Sequence, residues 1–382
     1  MNELLDSQLI NNLRDTINET NIFVQDEVQK DKFNLICAIM DRIDTAIYYI
    51  NNNYNKFPSR EEEFVVYLFY CCNIVQTIKN GFDKLNIEMP TGNNYFEDIW
   101  NRIENGGEIS ETYTDDKFFS YFRSLVFAHP TDTSKSIPDR ITGEKQYSPY
   151  ILLYEDRMLK NNGTIRVEIY SDKRVAFCLT FKFELLNKYI KWKYELLNNI
   201  IEEFRNIIKS KEQKWKLHKV NREQDSVEVL EDIKKILEER YIETDIIEEL
   251  IAYLKCECSL NINLVPVKKY KKAIVDVIPK ICDAIDEYNH EAIYALVRDI
   301  LYPRPKAHQM LHYQLEKIYC DLNNEYGDTE WGLIQAEAFA NEFAKKWVRI
   351  YPRKMSFEEI KFLTSVACYL EYKEQKGEKL NE

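Results

Sequence analysis

Residues 28–51 carry Phe33, Ile36, Met40, Ile43, Ile47 and Ile50 at alternating intervals of three and four. That recurrence predicts a helix with one apolar seam. A second apolar run, 64–78, follows Ser59 and Glu62, which read as a capping box that satisfies first-turn amides. It is apolar nearly all round, so it predicts a central helix packed on several sides. A third helix follows Thr114-Asp115 and puts Phe118, Phe122 and Leu125 on one stripe. Pro130 closes it, because the residue before a proline is pushed out of the α region. With the N-terminal helix these elements predict a bundle of four or five helices over residues 1–135.

The pattern changes next. Residues 132–150 are polar and read as a surface loop. Ile165, Val167 and Ile169 then alternate with Arg166, Glu168 and Tyr170, while Val175, Phe177, Leu179 and Phe181 alternate with Ala176, Cys178, Thr180 and Lys182. Two period-2 runs joined through Ser171-Asp172-Lys173 predict a hairpin with one buried face. A lone hairpin is marginal in water, so it must lie on the bundle or on a partner. A long helix is expected over 185–216, its seam running Ile190, Tyr194, Leu197, Ile201, Phe204, Ile208. That seam fits either a coiled coil between two copies or packing within one chain.

Beyond a polar stretch at 219–224, read as a domain boundary, short helices follow one another. Asp245 with Glu248 and Ser356 with Glu359 are start signals, and Pro279, Pro303, Pro305 and Pro352 punctuate. No fixed-period repeat appears. The fold class expected is mainly α: an N-terminal bundle (1–135), a loop, hairpin and long helix (136–222), and a C-terminal multi-helix domain (223–382).

Composition supports this and narrows the function. Nine glycines and ten prolines in 382 residues leave helices few breakers. A formal net charge of -12 argues against indiscriminate coating of nucleic acid, which rests on phosphate neutralisation. It leaves room for a pocket with a local positive field. Nine cysteines, several in apolar helical runs (Cys37, Cys71, Cys72, Cys368), read as reduced buried thiols. The N-terminus lacks the basic and apolar regions of a secretion signal, and the longest uncharged run, 64–78, is too short to span a bilayer. A cytoplasmic protein without membrane contact is the expectation.

Arg123 and His129 close the third predicted helix, in a chain with only five histidines. An imidazole and a fixed guanidinium can together cleave RNA, one moving protons and the other holding developing phosphate charge. On one ideal helix the two would lie about 120° apart around the axis and about 9 Å along it, with His129 on the apolar stripe. An active pair therefore needs a bent helix end or a second chain. The bland alternative is a histidine capping terminal carbonyls, with Arg123 bonded to a nearby carboxylate.

The spacing resembles the R-x(4–6)-H motif of the HEPN superfamily of helical RNases and nucleotide-binding modules. Arg123-Ser124-Leu125, Ala128-His129-Pro130 and Thr133 are similar to a group of bacterial proteins reading R-S-L-x-x-A-H-P. The resemblance implies a homodimer with a composite cleft, and RNA cut by its own 2′-hydroxyl without metal or other cofactor. His129 would transfer the proton, Arg123 would hold the phosphate and Ser124 would help bind substrate. It also implies a toxin or phage-defence role. The alternative is a non-catalytic helical module that binds a nucleotide or a protein partner.

Three other features bear on chemistry. The densest basic patch, around Lys211, Lys214 and Lys216 with Trp215 inside it, suits single-stranded nucleic acid or is an ordinary helix end. His308, His312 and Glu316 would share a helix face and could bind zinc, although a solvated face is the simpler account. Cys256-Glu257-Cys258 has no second pair to make a zinc module and reads as buried thiols beside a turn. No Gly-rich phosphate loop, G-x-S-x-G elbow or G-x-G-x-x-G occurs.

Overall fold

The computed structural model describes residues 3–103, 114–132, 145–155, 163–172, 176–323 and 327–377. It is mainly α, and it divides into two compact units, Met1–Ser210 and Lys211–Glu382.

The first unit holds α1 (Ser7–Asn18), α2 (Ile22–Gln25), α3 (Lys30–Asn53), α4 (Glu61–Leu85), α5 (Glu97–Ile103) and α6 (Asp115–Arg123). The seam of α3 is buried as the spacing predicts, with Ile43 and Ile50 fully enclosed. Its neighbour α4 is less central than its composition suggests, since Val66 and Phe69 are exposed. Its start is tied by Glu63 rather than Glu62: the Ser59 amide and hydroxyl donate to Glu63 Oε2 at 3.0 and 2.9 Å.

Four strands follow: β1 (Gln146–Tyr147), β2 (Ile151–Tyr154), β3 (Thr164–Ser171) and β4 (Phe177–Lys182). β3 and β4 pair antiparallel with Ile165 opposite Phe181 and Val167 opposite Leu179, which is the hairpin the alternation predicts. Val175 and Lys173 of the expected connection lie outside the described residues. β2 pairs with one end of β3 and β1 with the other, so part of the stretch expected to be loop joins a sheet. Two residues of β1 are too few to show period-2 alternation.

The sheet's inner face packs on an aromatic cluster. Phe181 lies 4.9 Å from Phe122, 5.9 Å from Phe96 and 6.2 Å from Phe118, ring centre to ring centre. One hydrophobic core therefore runs through the bundle, the sheet and the helices after it. The segment expected as a separate central region shares that core. The expected long helix is two, α7 (Phe183–Glu195) and α8 (Leu197–Trp215), broken at Leu196.

The second unit carries α9 (Ser226–Glu239), α10 (Asp245–Lys255), α11 (Leu264–Asp286), α12 (Glu291–Leu301), α13 (Leu311–Asp321), α14 (Thr329–Glu342) and α15 (Phe357–Gln375) around a second core. The 219–224 stretch is not a free linker. The Val220 amide donates to Asp286 Oδ1 at 3.0 Å, and Arg222 bridges Asp283 and Asp286 at the end of α11. Pro279 sits inside α11 instead of ending it. It lies on the exposed face, and Val277, Ile278, Ile281 and Cys282 around it are buried. An interior proline costs about 3 kcal/mol, and burial of each large apolar side chain contributes roughly 1.5–3 kcal/mol, so packing wins. Among the described residues no helix is long and apolar enough to cross a membrane.

Candidate active site at the end of helix α6

Helix α6 begins where its sequence says. Thr114 caps it, its hydroxyl accepting from the Lys117 amide at 3.1 Å. Phe118, Phe122 and Leu125 are buried, so the stripe faces the sheet and α4 and fixes which way the other residues point. Tyr121 donates a buried hydrogen bond to Gln146 Oε1 of β1 at 2.6 Å, tying the helix to the sheet from a second side.

After Arg123 the α-helix becomes one π-helical turn, Ser124–Ala128, closed by His129 N–H donating to Ser124 C=O at 2.9 Å. A bond spanning five residues widens the turn, so the angular offset of an ideal helix no longer applies. His129 then leaves the helix (φ -146°, ψ 55°), and its imidazole is exposed rather than continuing the apolar stripe. The Ser148 amide donates to Pro130 C=O at 2.7 Å and holds the following turn near the sheet. The helix end therefore departs from an ideal helix, one of the two alternatives by which the pair could act.

Arg123 is half-buried, and its Nε is enclosed without a hydrogen-bond partner. Among the described residues its guanidinium makes no ion pair and His129 makes no side-chain hydrogen bond, so the two bonds of the bland alternative are not made. Arg123 acts on the Cys72 thiol of α4. Burial pushes that thiol up to about 12, and the Arg123 charge pulls it the other way.

Ser124 corrects an expectation. It is fully buried and its hydroxyl donates back to Ser120 C=O at 3.0 Å, so it faces the core and not a substrate. Thr133 lies outside the described residues.

A polar cluster that sequence reasoning passed over braces the other end of α6. Lys193 of α7 is fully enclosed, and its Nζ lies 2.6 Å from Asp116 Oδ2. Asp116 Oδ1 accepts from the Tyr189 hydroxyl at 2.7 Å. Burial lowers the Lys193 pKa, and Asp116 opposes that shift. The signal was present, because Lys193 lies three residues after Ile190 and so falls on the apolar face of its helix.

The remaining candidates belong to the second unit. Trp215 is occupied: its ring stacks on Tyr288 at 6.2 Å and meets Tyr241 edge-on at 5.9 Å. Lys216 Nζ lies 5.1 Å over the Tyr288 ring, and Lys211 is half-buried, while Lys214 and Lys216 are exposed. A tryptophan spent this way offers no face to a base. His308 and His312 do not share a helix, because α13 starts only at Leu311, after the Pro303 and Pro305 stretch. His308 lies 3.8 Å from Glu342, and no group of three His, Cys, Asp or Glu side chains among the described residues is placed to hold a metal ion. Cys256 and Cys258 are half-buried free thiols at the end of α10.

No family model, curated protein or solved structure matches this chain. The geometry at α6 therefore stands on its own residues.

Proposed function

We propose that the first unit is an endoribonuclease acting through Arg123 and His129, in the manner its HEPN-like motif implies. The observation that carries the reading is a half-buried guanidinium kept without a carboxylate, on a helix end whose π turn turns the following histidine out to solvent. An unpaired, partly desolvated cation is costly in a folded protein and is suited to an anion that arrives later. Arg123 would hold the non-bridging phosphate oxygens, and the exposed imidazole would take the proton from the attacking ribose 2′-hydroxyl. The products would be a 2′,3′-cyclic phosphate and a 5′-hydroxyl. The leaving 5′-oxygen also needs a proton, and one His129 cannot be base and acid in the same step. A second copy of the chain would supply it, which makes the working form a homodimer.

The test is RNA turnover together with thermal stability. His129→Ala is expected to lower cleavage by ~10²–10⁴-fold with little change in melting, as for a general acid–base group facing solvent. Arg123→Met is expected to lose cleavage similarly while keeping or raising stability, because it removes an unpaired desolvated charge. Arg123→Lys should restore part of the rate only, lacking the planar fork. A 2′-deoxy substitution at the cut site should block the reaction, and a chelator should not. Wild-type protein that cuts no RNA, with Arg123→Met melting earlier, would return the pair to a structural role in a non-catalytic module.

A further inference from the structure

The second unit contains a two-chambered cleft that the α6 site does not use. An inner chamber of about 160 Å³ is lined by Arg304, His312, Tyr319 and Ser365 among apolar walls. An outer chamber of about 370 Å³ is lined by Tyr294, Arg298, Asp299 and Tyr372. Tyr302 and Arg304 line both, so the chambers adjoin.

The polar groups are donors. No carboxylate lines the inner chamber. The outer one has only Asp299, and that is bound by Lys376 at 2.9 Å. Arg304 is exposed and makes no hydrogen bond or ion pair among the described residues, and neither does His312. Behind them, Ser365 Oγ lies 3.0 Å from the Tyr253 hydroxyl and 2.7 Å from that of Tyr319. These hydroxyls bond one another at the back of the chamber, and a hydroxyl of such a cluster can turn its proton toward an incoming acceptor. In a chain of net charge -12, a chamber with an unpaired guanidinium, groups that can donate and no carboxylate favours an oxyanion.

The outer chamber suits a flat ring. Tyr294 and Tyr302 stack on one another at 6.2 Å and are partly exposed, and Tyr372, with Lys376 over its ring at 4.4 Å, lines the same chamber. Its volume is in the range of sites that take small organic ligands.

We propose that this cleft binds a phosphate monoester bearing a planar ring, of the size of a ribonucleoside 5′-monophosphate. The phosphate sits in the inner chamber on Arg304, His312 and the Ser365–Tyr319 hydroxyls, and the ring lies against the outer tyrosines. This site is built wholly from the second unit and stands or falls separately from RNA cleavage at α6.

The test is calorimetric titration of the full chain with adenosine 5′-monophosphate, inorganic phosphate and adenosine. The expected result is saturable binding of the monophosphate, with each half-ligand bound roughly 10-fold or more weakly. Arg304→Gln should weaken the monophosphate by roughly 10-fold or more and leave adenosine unchanged. Tyr302→Leu should weaken both the monophosphate and adenosine. Melting of Arg304→Gln should match wild type, since that side chain is exposed and unpaired. Absence of saturable binding at about 10 mM would overturn the proposal. So would monophosphate binding that Arg304→Gln leaves intact and Arg123→Met abolishes, which would place the nucleotide at α6 instead.

Discussion

Asp116→Asn tests how α6 is held. The substitution keeps the side-chain shape and removes the charge facing Lys193, whose side chain has no exposed surface. Removing one partner of a buried ion pair typically costs about 3–5 kcal/mol, because the other charge is stranded. Asp116 itself is 37% exposed, so water and the retained amide oxygen offset part of the loss, and about 2–3 kcal/mol is the expected penalty. For a unit of this size that is a fall in melting temperature of roughly 4–12 °C. Lys193→Met should cost less, about 1 kcal/mol, since it leaves Asp116 near water and an apolar chain in an apolar slot. The pH dependence has a definite sign. Burial holds the folded-state pKa of Lys193 below its ordinary value of 10.5. Between those two values the unfolded chain binds more protons, so stability rises with pH there. Removing Asp116 deletes the main opposing attraction and lowers the folded pKa further. The Asn penalty should therefore shrink as pH is raised toward 10.5. Urea unfolding followed by tryptophan fluorescence at neutral and alkaline pH measures both effects. Equal midpoints for Asp116→Asn and wild type, or greater damage from Lys193→Met, would refute the reasoning.

A Cβ placed on Gly81 of α4 would lie 2.6 Å from Ile200 Cδ1 of α8, so Gly81→Val should cost about 1–3 kcal/mol in urea unfolding, with partial recovery when Ile200→Ala is added. Phe181→Ala opens a hole among three phenylalanines and should cost about 3–5 kcal/mol, whereas Tyr170→Ala on the outer face should fall within about 0.5 kcal/mol. Iodoacetamide on the folded protein at mildly alkaline pH should label the exposed Cys178 and Cys320 first. It should spare Cys71 and Cys368, which are buried and whose pKa values burial raises; mass spectrometry of peptides from the digested chain at successive times reads the order.

Much of the architecture was legible because the signal was periodic. The α3 seam, the stripe of α6 and the β3–β4 alternation each report one buried face, and each appears as read. What escaped had no period to read. The Leu196 break interrupts a seam whose apolar spacing runs on unchanged, and β1 is too short to alternate. Pro279 signals a helix end locally, but the burial of its neighbours outweighs that preference. At the candidate site the sequence supplied Arg123 and His129 and the requirement of a bent helix end or a second chain, but not the π turn, because a hydrogen bond spanning five residues leaves no signature in the apolar spacing. Nor could the motif show that Ser124 turns inward.

The chain has 64 acidic residues against 52 basic ones, so a guanidinium on its surface meets carboxylates readily. Arg14, Arg60, Arg222 and Arg353 have all found them. Arg123 and Arg304 are among those that have not, as are the exposed Arg42 and Arg205, but each of the first two lies beside a concave or bent part of its unit and is accompanied by an unpartnered histidine, His129 in one case and His312 in the other. Neither pairing follows from helix capping, and neither gains the fold a salt bridge. In an acidic protein, keeping a cation unpaired requires that acids be held away from it, and the cleft around Arg304 does so visibly: its one lining carboxylate, Asp299, is neutralised by Lys376. Two such arrangements in two separate units argue for two anion sites rather than one. The variants Arg123→Met and Arg304→Gln separate them, since each should weaken one anion-dependent property and leave the other untouched, with neither unit losing stability.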